Sequence, residues 1–273
     1  MLAPAKLNLA LHVTGQRPDG YHLLHSLVAF ADVGDEIAVS PSGTDRLTVE
    51  GPFADGVPPL AENTLGAALT LVRGWGEARD PVHIHLTKNL PIASGIGGGS
   101  ADAAALIRLL TSGRDLSPTE FADALTLGAD VPMCLSRTPA IVSGIGEESQ
   151  PVWLPAAHLV LVNPGMAVST PEVFKALKQK SNLLMPDWPQ PATFSDLVMY
   201  LQATRNDLMA PAIGLAPQIS DCLDALSEAP FARMSGSGAT CFALLETAND
   251  AATLAQKVAN GHLDWWVTTG ALT

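Results

Sequence analysis

Four glycines fall within five residues at Gly95-Ile96-Gly97-Gly98-Gly99, and their setting narrows what this chain can build more than any other feature. Before them, Val82–Thr87 alternates histidine and aliphatic residues, as a half-buried strand does. Behind them, Ala101–Leu110 is rich in alanine and leucine and predicts a helix. Glycine permits positive φ and close backbone approach, so successive N–H groups can converge on one anion. At a helix start, unpaired N–H groups and the helix dipole add to that attraction. Pro91–Asp102 therefore reads as a phosphate-binding loop running into a helix. A flexible surface turn is the plainer reading of any glycine cluster; the strand before and the helix behind weigh against it.

Other phosphate motifs can be tested directly. No glycine opens a G-x-x-x-x-G-K-[ST] P-loop. The dinucleotide fingerprint begins at Gly95-Ile96-Gly97, but Ser100 occupies its third glycine position. Neither His-Arg-Asp nor Asp-Phe-Gly occurs, so the protein-kinase set is absent. Composition sets wider limits. A chain of 273 residues, 47% hydrophobic and 15% charged, can bury a sizeable core and hold two modest domains. A net charge of −12 argues against nucleic acid as a partner without excluding a nucleotide substrate. No apolar run approaches the roughly 18 residues of a membrane span. The apolar opening of the chain is broken by Lys6, Asn8 and His12 and reads as a buried strand, not a leader. Cys134, Cys222 and Cys241 lack zinc spacing and read as reduced, buried thiols of a cytoplasmic protein.

Along the chain, Ala5–Thr14, His25–Val33, Glu36–Ser40 and Arg46–Glu50 read as strands, with turns at Gly15–Gly20, Gly34-Asp35 and Pro41–Asp45. Asn63 predicts the cap of a helix from Thr64 to Trp75, and Ser117-Pro118-Thr119-Glu120 predicts a capping box. Gly144–Pro151 reads as a break, which divides the chain into domains 1–151 and 152–273. The second half predicts a strand at His158–Val162 and helices at Thr170–Lys178, Phe194–Ala203 and Pro217–Ser227. A Pro-rich surface excursion at Lys180–Pro191, a loop at Met234–Gly238, a strand at Ala239–Leu245 and a helix at Ala248–Ala259 complete it. This mixture predicts an α+β protein rather than a doubly wound sheet.

At this point the chain resembles a known family. Leu90-Pro91-Ile92-Ala93-Ser94-Gly95-Ile96-Gly97-Gly98-Gly99-Ser100-Ala101 is similar to the loop with which GHMP kinases embrace the phosphates of ATP. Pro4-Ala5-Lys6-Leu7-Asn8-Leu9 resembles the family's first motif, and Ser235-Gly236-Ser237-Gly238-Ala239-Thr240 its third, in the family's order. The resemblance implies a ribosomal-S5-like N-terminal domain, a C-terminal α/β sandwich domain and an active site in the cleft between them. It also implies ATP as cosubstrate, Mg²⁺ held through ATP and water with no protein metal ligand assigned, and a monomer or homodimer. Asn63 and Lys88 match positions on the adenosine side of ATP; a helix cap and a solvated strand-end charge are their structural alternatives.

Within the family, Gly20-Tyr21-His22, Leu127-Gly128-Ala129-Asp130-Val131-Pro132, Asn163-Pro164-Gly165 and Asn206-Asp207-Leu208 are similar to members whose acceptor is the 2-hydroxyl of a diphosphocytidyl-methylerythritol. By that likeness Asn8, Tyr21, His22, Ser169, Thr170, Phe174, Gly236, Ser237 and Gly238 hold the acceptor. Tyr21 and Phe174 would sandwich a pyrimidine, worth roughly 1–3 kcal/mol per stacked base, and His22 would meet its edge. Core packing and a turn are their plainer readings. Asp130, between apolar neighbours, suits a general base worth about 10²–10⁴-fold. Lys6 is the only charge in an apolar strand and requires an anionic partner. A mevalonate-type member is the alternative, and such an acceptor offers no base to stack. A non-catalytic nucleotide-binding protein would not need both Lys6 and Asp130.

Overall fold

The opening of the chain is a long strand covered on both faces: the residues from Ala3 to Val13 are all buried, Lys6, Asn8 and His12 with the aliphatic ones. The computed structural model describes residues 1–273 and holds ten strands and nine helices. The strands are β1 (Leu2–Gln16), β2 (His22–Pro41), β3 (Arg46–Glu50), β4 (Val82–Thr87), β5 (Ala140–Gly144), β6 (Glu148–Pro151), β7 (His158–Asn163), β8 (Phe231–Met234), β9 (Cys241–Leu245) and β10 (Trp266–Ala271). The helices are α1 (Thr64–Gly74), α2 (Gly98–Leu110), α3 (Pro118–Ala124), α4 (Val131–Ser136), α5 (Thr170–Ala176), α6 (Phe194–Gln202), α7 (Met209–Leu215), α8 (Gln218–Ala225) and α9 (Ala248–Gly261). The α+β expectation holds. None of the helices is long and apolar enough to cross a membrane.

The chain forms two compact units that interleave in sequence. One comprises residues 1–5, 34–92 and 97–137; the other comprises 6–33, 93–96 and 138–273. In the first, the end of β2 pairs antiparallel with β4 (Glu36 opposite Thr87), and β4 pairs parallel with β3. Helix α2 packs against both α1 and α4 there. In the second, β1 pairs with β2, β2 with β5, and β5 with β6. A separate antiparallel sheet runs β10-β7-β9-β8 and carries α8 and α9. Its core gathers Leu11, Val13, Val160, Val162, Val173, Ile219, Cys222 and Cys241.

Gly34-Asp35 is not a turn. β2 runs unbroken through both residues. A side chain on Gly34 would begin 2.1 Å from the carbonyl oxygen of Ala3, so this position needs glycine for close approach, not for bending. Asp35 is fully buried, and its carboxylate accepts from the backbone N–H groups of Asn89 at 2.6 Å and Leu90 at 2.8 Å. The break read at Gly144–Pro151 is the β5–β6 hairpin, whose register sets Ser143 opposite Glu148. The capping box is present: Glu120 N–H donates to Ser117 Oγ, and Ser117 N–H donates back to the Glu120 carboxylate.

Candidate active site

The phosphate loop is built from both ends. Gly97 takes a left-handed conformation, φ 65°, and caps α2, which therefore begins at Gly98, three residues earlier than the alanine run predicts. Gly98, Gly99 and Ser100 form the first turn of that helix, with no side chain capping it. Ala93, with φ 50°, is a further residue of the loop in the left-handed region. Such conformations cost of order 1–3 kcal/mol in a non-glycine residue and persist where the surroundings fix them.

Residues 93–96 are fixed by the first and third motifs. Lys6 N–H donates to the Ile96 carbonyl at 2.9 Å. Ser235 Oγ donates to the Gly95 carbonyl at 3.0 Å and accepts from Asn8 N–H at 3.1 Å, so one hydroxyl links three segments. Thr240 N–H donates to the Ser94 carbonyl at 3.0 Å, and Asn163 Nδ2 donates to Thr240 Oγ1. Asn206 Nδ2 donates to the carbonyls of Met234 and Gly236, holding the glycine turn at Gly236–Gly238. Lys6 Nζ, buried with the strand, donates to Asn8 Oδ1 at 3.0 Å, and Asn8 Nδ2 donates to Ser26 Oγ. Ser235, Asn163, Asn206, Ser26 and Thr240 thus position the site residues. The motifs that contain Asn163, Asn206, Ser235 and Thr240 were visible in the sequence; their positioning work was not, because each partner is distant in the chain.

Asn63 caps α1: its Oδ1 accepts from Leu65 and Gly66 N–H, and its Nδ2 donates to the Pro58 carbonyl. Lys88 is not a solvated charge. It is 4% exposed, and its ammonium donates to Asp35 at 2.5 Å and to Asp102 at 2.7 Å. Both carboxylates escaped the sequence reading. Burial, with Asp35 adding and Lys88 opposing, pushes Asp102 up to about 7.

His22 and Phe174 come together as stacked rings 4.7 Å apart and 23° from parallel. His22 Nε2 is buried and has no hydrogen-bond partner. Burial first and the charge of Lys180 second lower its pKa, so the ring is held neutral. Tyr21 is 62% exposed and does not stack on Phe174. Thr170 Oγ1 lies 2.7 Å from Ser237 Oγ, which joins the start of α5 to the third motif; Ser169 is the residue before that helix. Asp130 precedes α4, half-buried, beside Val131 and Pro132. No cluster of three or more His, Cys, Asp or Glu side chains is placed to hold a metal ion.

Residues 63–137 match the model of the GHMP kinases N terminal domain, and residues 190–263 that of the GHMP kinases C terminal domain. The chain belongs to the GHMP kinase family. This GHMP kinase is 50% identical over 276 residues to the 4-diphosphocytidyl-2-C-methyl-D-erythritol kinase of Roseobacter denitrificans, covering 98% of this chain and 91% of that one. It is 49% identical to the protein of the same name from Brucella melitensis, covering 97% and 92%. A crystal structure of 4-(cytidine 5'-diphospho)-2C-methyl-D-erythritol kinase superposes with a TM-score of 0.81 at 34% identity, covering 100% of this chain and 98% of that one. Homoserine kinase from Cytophaga hutchinsonii, at 18% identity and a TM-score of 0.67 over 99% and 92%, shares the fold. The architecture is the two-domain GHMP kinase fold with mixed helices and sheets, and the chain is an enzyme of that family.

Proposed function

We propose that this GHMP kinase transfers the γ-phosphoryl group of ATP to the 2-hydroxyl of 4-diphosphocytidyl-2-C-methyl-D-erythritol. The observation that carries the substrate is the His22–Phe174 pair: a flat apolar ring beside a buried, neutral nitrogen with an unmet hydrogen bond. A nucleobase satisfies both at once, whereas an aliphatic acid such as mevalonate can hydrogen-bond but offers no ring to stack on Phe174. Phe174 and Tyr21 flank the pyrimidine, and His22 presents Nε2 to its edge. Asn8, Ser169, Thr170 and Gly236–Gly238 hold the rest of the acceptor. The relatives at about 50% identity act under that substrate's name and support the reading.

Catalysis of phosphoryl transfer is mostly positioning and charge balance. The first turn of α2 offers N–H groups to the phosphates, and Pro91–Ala101 wraps them. Asp130 accepts the proton of the attacking hydroxyl, and Lys6 is its charged partner. Asn63 and Lys88 shape the adenosine side with side chains already engaged in the fold. ATP supplies the phosphoryl group, with Mg²⁺ balancing its charge through ATP and water.

The test is ADP release with the cytidyl alcohol, run beside mevalonate, homoserine and galactose. Turnover confined to one of the latter three overturns the substrate. Asp130→Asn should lose about 10²–10⁴-fold in kcat while still binding ATP; full activity rules out Asp130 as base.

A further inference from the structure

Asp35, Lys88 and Asp102 form a buried cluster directly behind the first turn of α2. Lys88 Nζ bridges one oxygen of each carboxylate, and it lies 3.2 Å from where a side chain on Gly98 would begin. Asp35 is spoken for: its other oxygen accepts from Asn89 and Leu90 N–H, the residues that lead into the loop. Asp102 is different. Its second oxygen is buried and has no donor. With both acids ionised, one ammonium faces two carboxylates and the cluster carries a net negative charge. That charge sits beneath the helix start that is to receive phosphate.

From this juxtaposition we infer that Asp102 is a proton-linked positioning residue for the nucleotide: phosphate arriving at Gly98–Ser100 draws one proton from solvent onto the Asp102 carboxyl. The inference rests on the proposed binding of ATP at this loop. Its sign follows from two effects. An ionised carboxylate oxygen without a donor is costly in a dry site, which favours the neutral acid. A second anion nearby disfavours ionisation further, so binding raises the pKa and takes up a proton. Reciprocally, the protonated cluster binds the anion more tightly.

The other groups around Asp102 leave this picture unchanged. On α1 the charged residue is Arg73, which is paired with Asp45. On α4 the titratable side chain is the thiol of Cys134, and Asp130 precedes that helix. On α2 itself Arg108 donates to the Leu135 carbonyl at the far end. Asp35 from β2 and Lys88 after β4 are the charges that face Asp102. Burial, opposed by Lys88, pushes the Asp102 carboxyl up to about 7 in the free protein, so the effect falls near neutral pH.

The experiment is calorimetric binding of a non-hydrolysable ATP analogue in buffers of different ionisation enthalpy. For the wild type, uptake should approach one proton on the alkaline side of neutrality and vanish on the acid side. Kd should rise up to about tenfold per pH unit above the free group's pKa. Asp102→Asn should bind with no proton uptake and a flat pH profile, a result that a purely structural role for Asp102 would not produce. Should that variant fail to fold, ¹³C shifts of the wild-type aspartate carboxyls report the same proton: one buried carboxyl must become protonated when the analogue binds. Binding without proton uptake overturns the inference while leaving the loop's role intact. No binding at all removes the nucleotide reading and the inference with it.

Discussion

Replacing Ser235 by alanine removes one oxygen atom and disconnects three segments. Its hydroxyl is fully buried, accepts from Asn8 N–H at 3.1 Å and donates to the Gly95 carbonyl at 3.0 Å. The substitution loses two neutral hydrogen bonds, each worth about 1 kcal/mol net. It also strands the buried N–H of Asn8, at about 1–3 kcal/mol, and the part-buried carbonyl of Gly95, at less. The missing hydroxyl is too small a space to admit water without rearrangement, so relaxation recovers only part. We expect a loss of about 2–4 kcal/mol. Urea unfolding followed by circular dichroism should show the midpoint falling by about 1 M or more, at a slope of ~1–3 kcal/mol/M. Under the proposed binding of phosphate by this loop, the KM for ATP should rise as well, because Gly95 belongs to it. A variant within 0.5 kcal/mol of wild type and with unchanged KM would refute the view that this hydroxyl holds the loop against the first and third motifs.

Two other outcomes follow from buried polar groups. Arg233 is buried without a carboxylate, donating to the carbonyls of Leu9, Leu201 and Thr204 and to Thr204 Oγ1, and burial lowers its pKa to about 10. Arg233→Lys cannot reach this set and should cost about 3 kcal/mol, read as a Tm lower by roughly 6–12 °C; an unchanged Tm would show the carbonyls are met otherwise. Two histidines hold the segment at Leu183–Met185 and its neighbour Arg205: His12 Nε2 accepts Arg205 N–H while its Nδ1 donates to the Leu183 carbonyl, and His25 Nδ1 accepts Met185 N–H. Burial lowers both pKa values, so the native state binds fewer protons than the unfolded chain, and stability falls as pH drops through about 6.5. Amide protection at Met185 and Arg205, corrected for intrinsic exchange, should decline from about pH 7 to about pH 5; constant protection would refute the pin.

What was legible in the sequence was local. Arg46–Glu50 and Val82–Thr87 were bounded by their own alternation and turn residues, and they fall where the pattern puts them. Ser117 and Glu120 satisfy each other across three residues, so their capping box could be read directly. Gly34-Asp35 carries turn chemistry, and partners distant in the chain, Ala3 against Gly34 and Asn89 and Leu90 on Asp35, keep it extended. Lys88 fails for the same reason: nothing near it in sequence announces the carboxylates that bury it. The short helices α4 and α7 and the strands β8 and β10 hold too little periodicity to be seen unaided and are set by tertiary packing. The glycine loop was legible as a turn running into a helix, and α2 does begin within it at Gly98. The joint work of Ser235, Asn8 and Gly95 was not, because it exists only after residues 227 apart have met.

The interleaving of the two units has a consequence for synthesis. β1 leaves the ribosome well before its partners, yet its Leu11 and Val13 are buried in a core completed by Val160, Val162 and Cys241. Closure comes later still, when Thr273 and Phe30 exchange backbone hydrogen bonds at the end of the chain. At about 5–20 residues per second, Leu11 waits on the order of 10–50 s for Cys241 to be made. All segments of the other unit are complete by Arg137 and can close in that interval. The apolar strand carrying Lys6 and Asn8 is therefore the part of the nascent chain exposed longest, and the segment a chaperone would meet first.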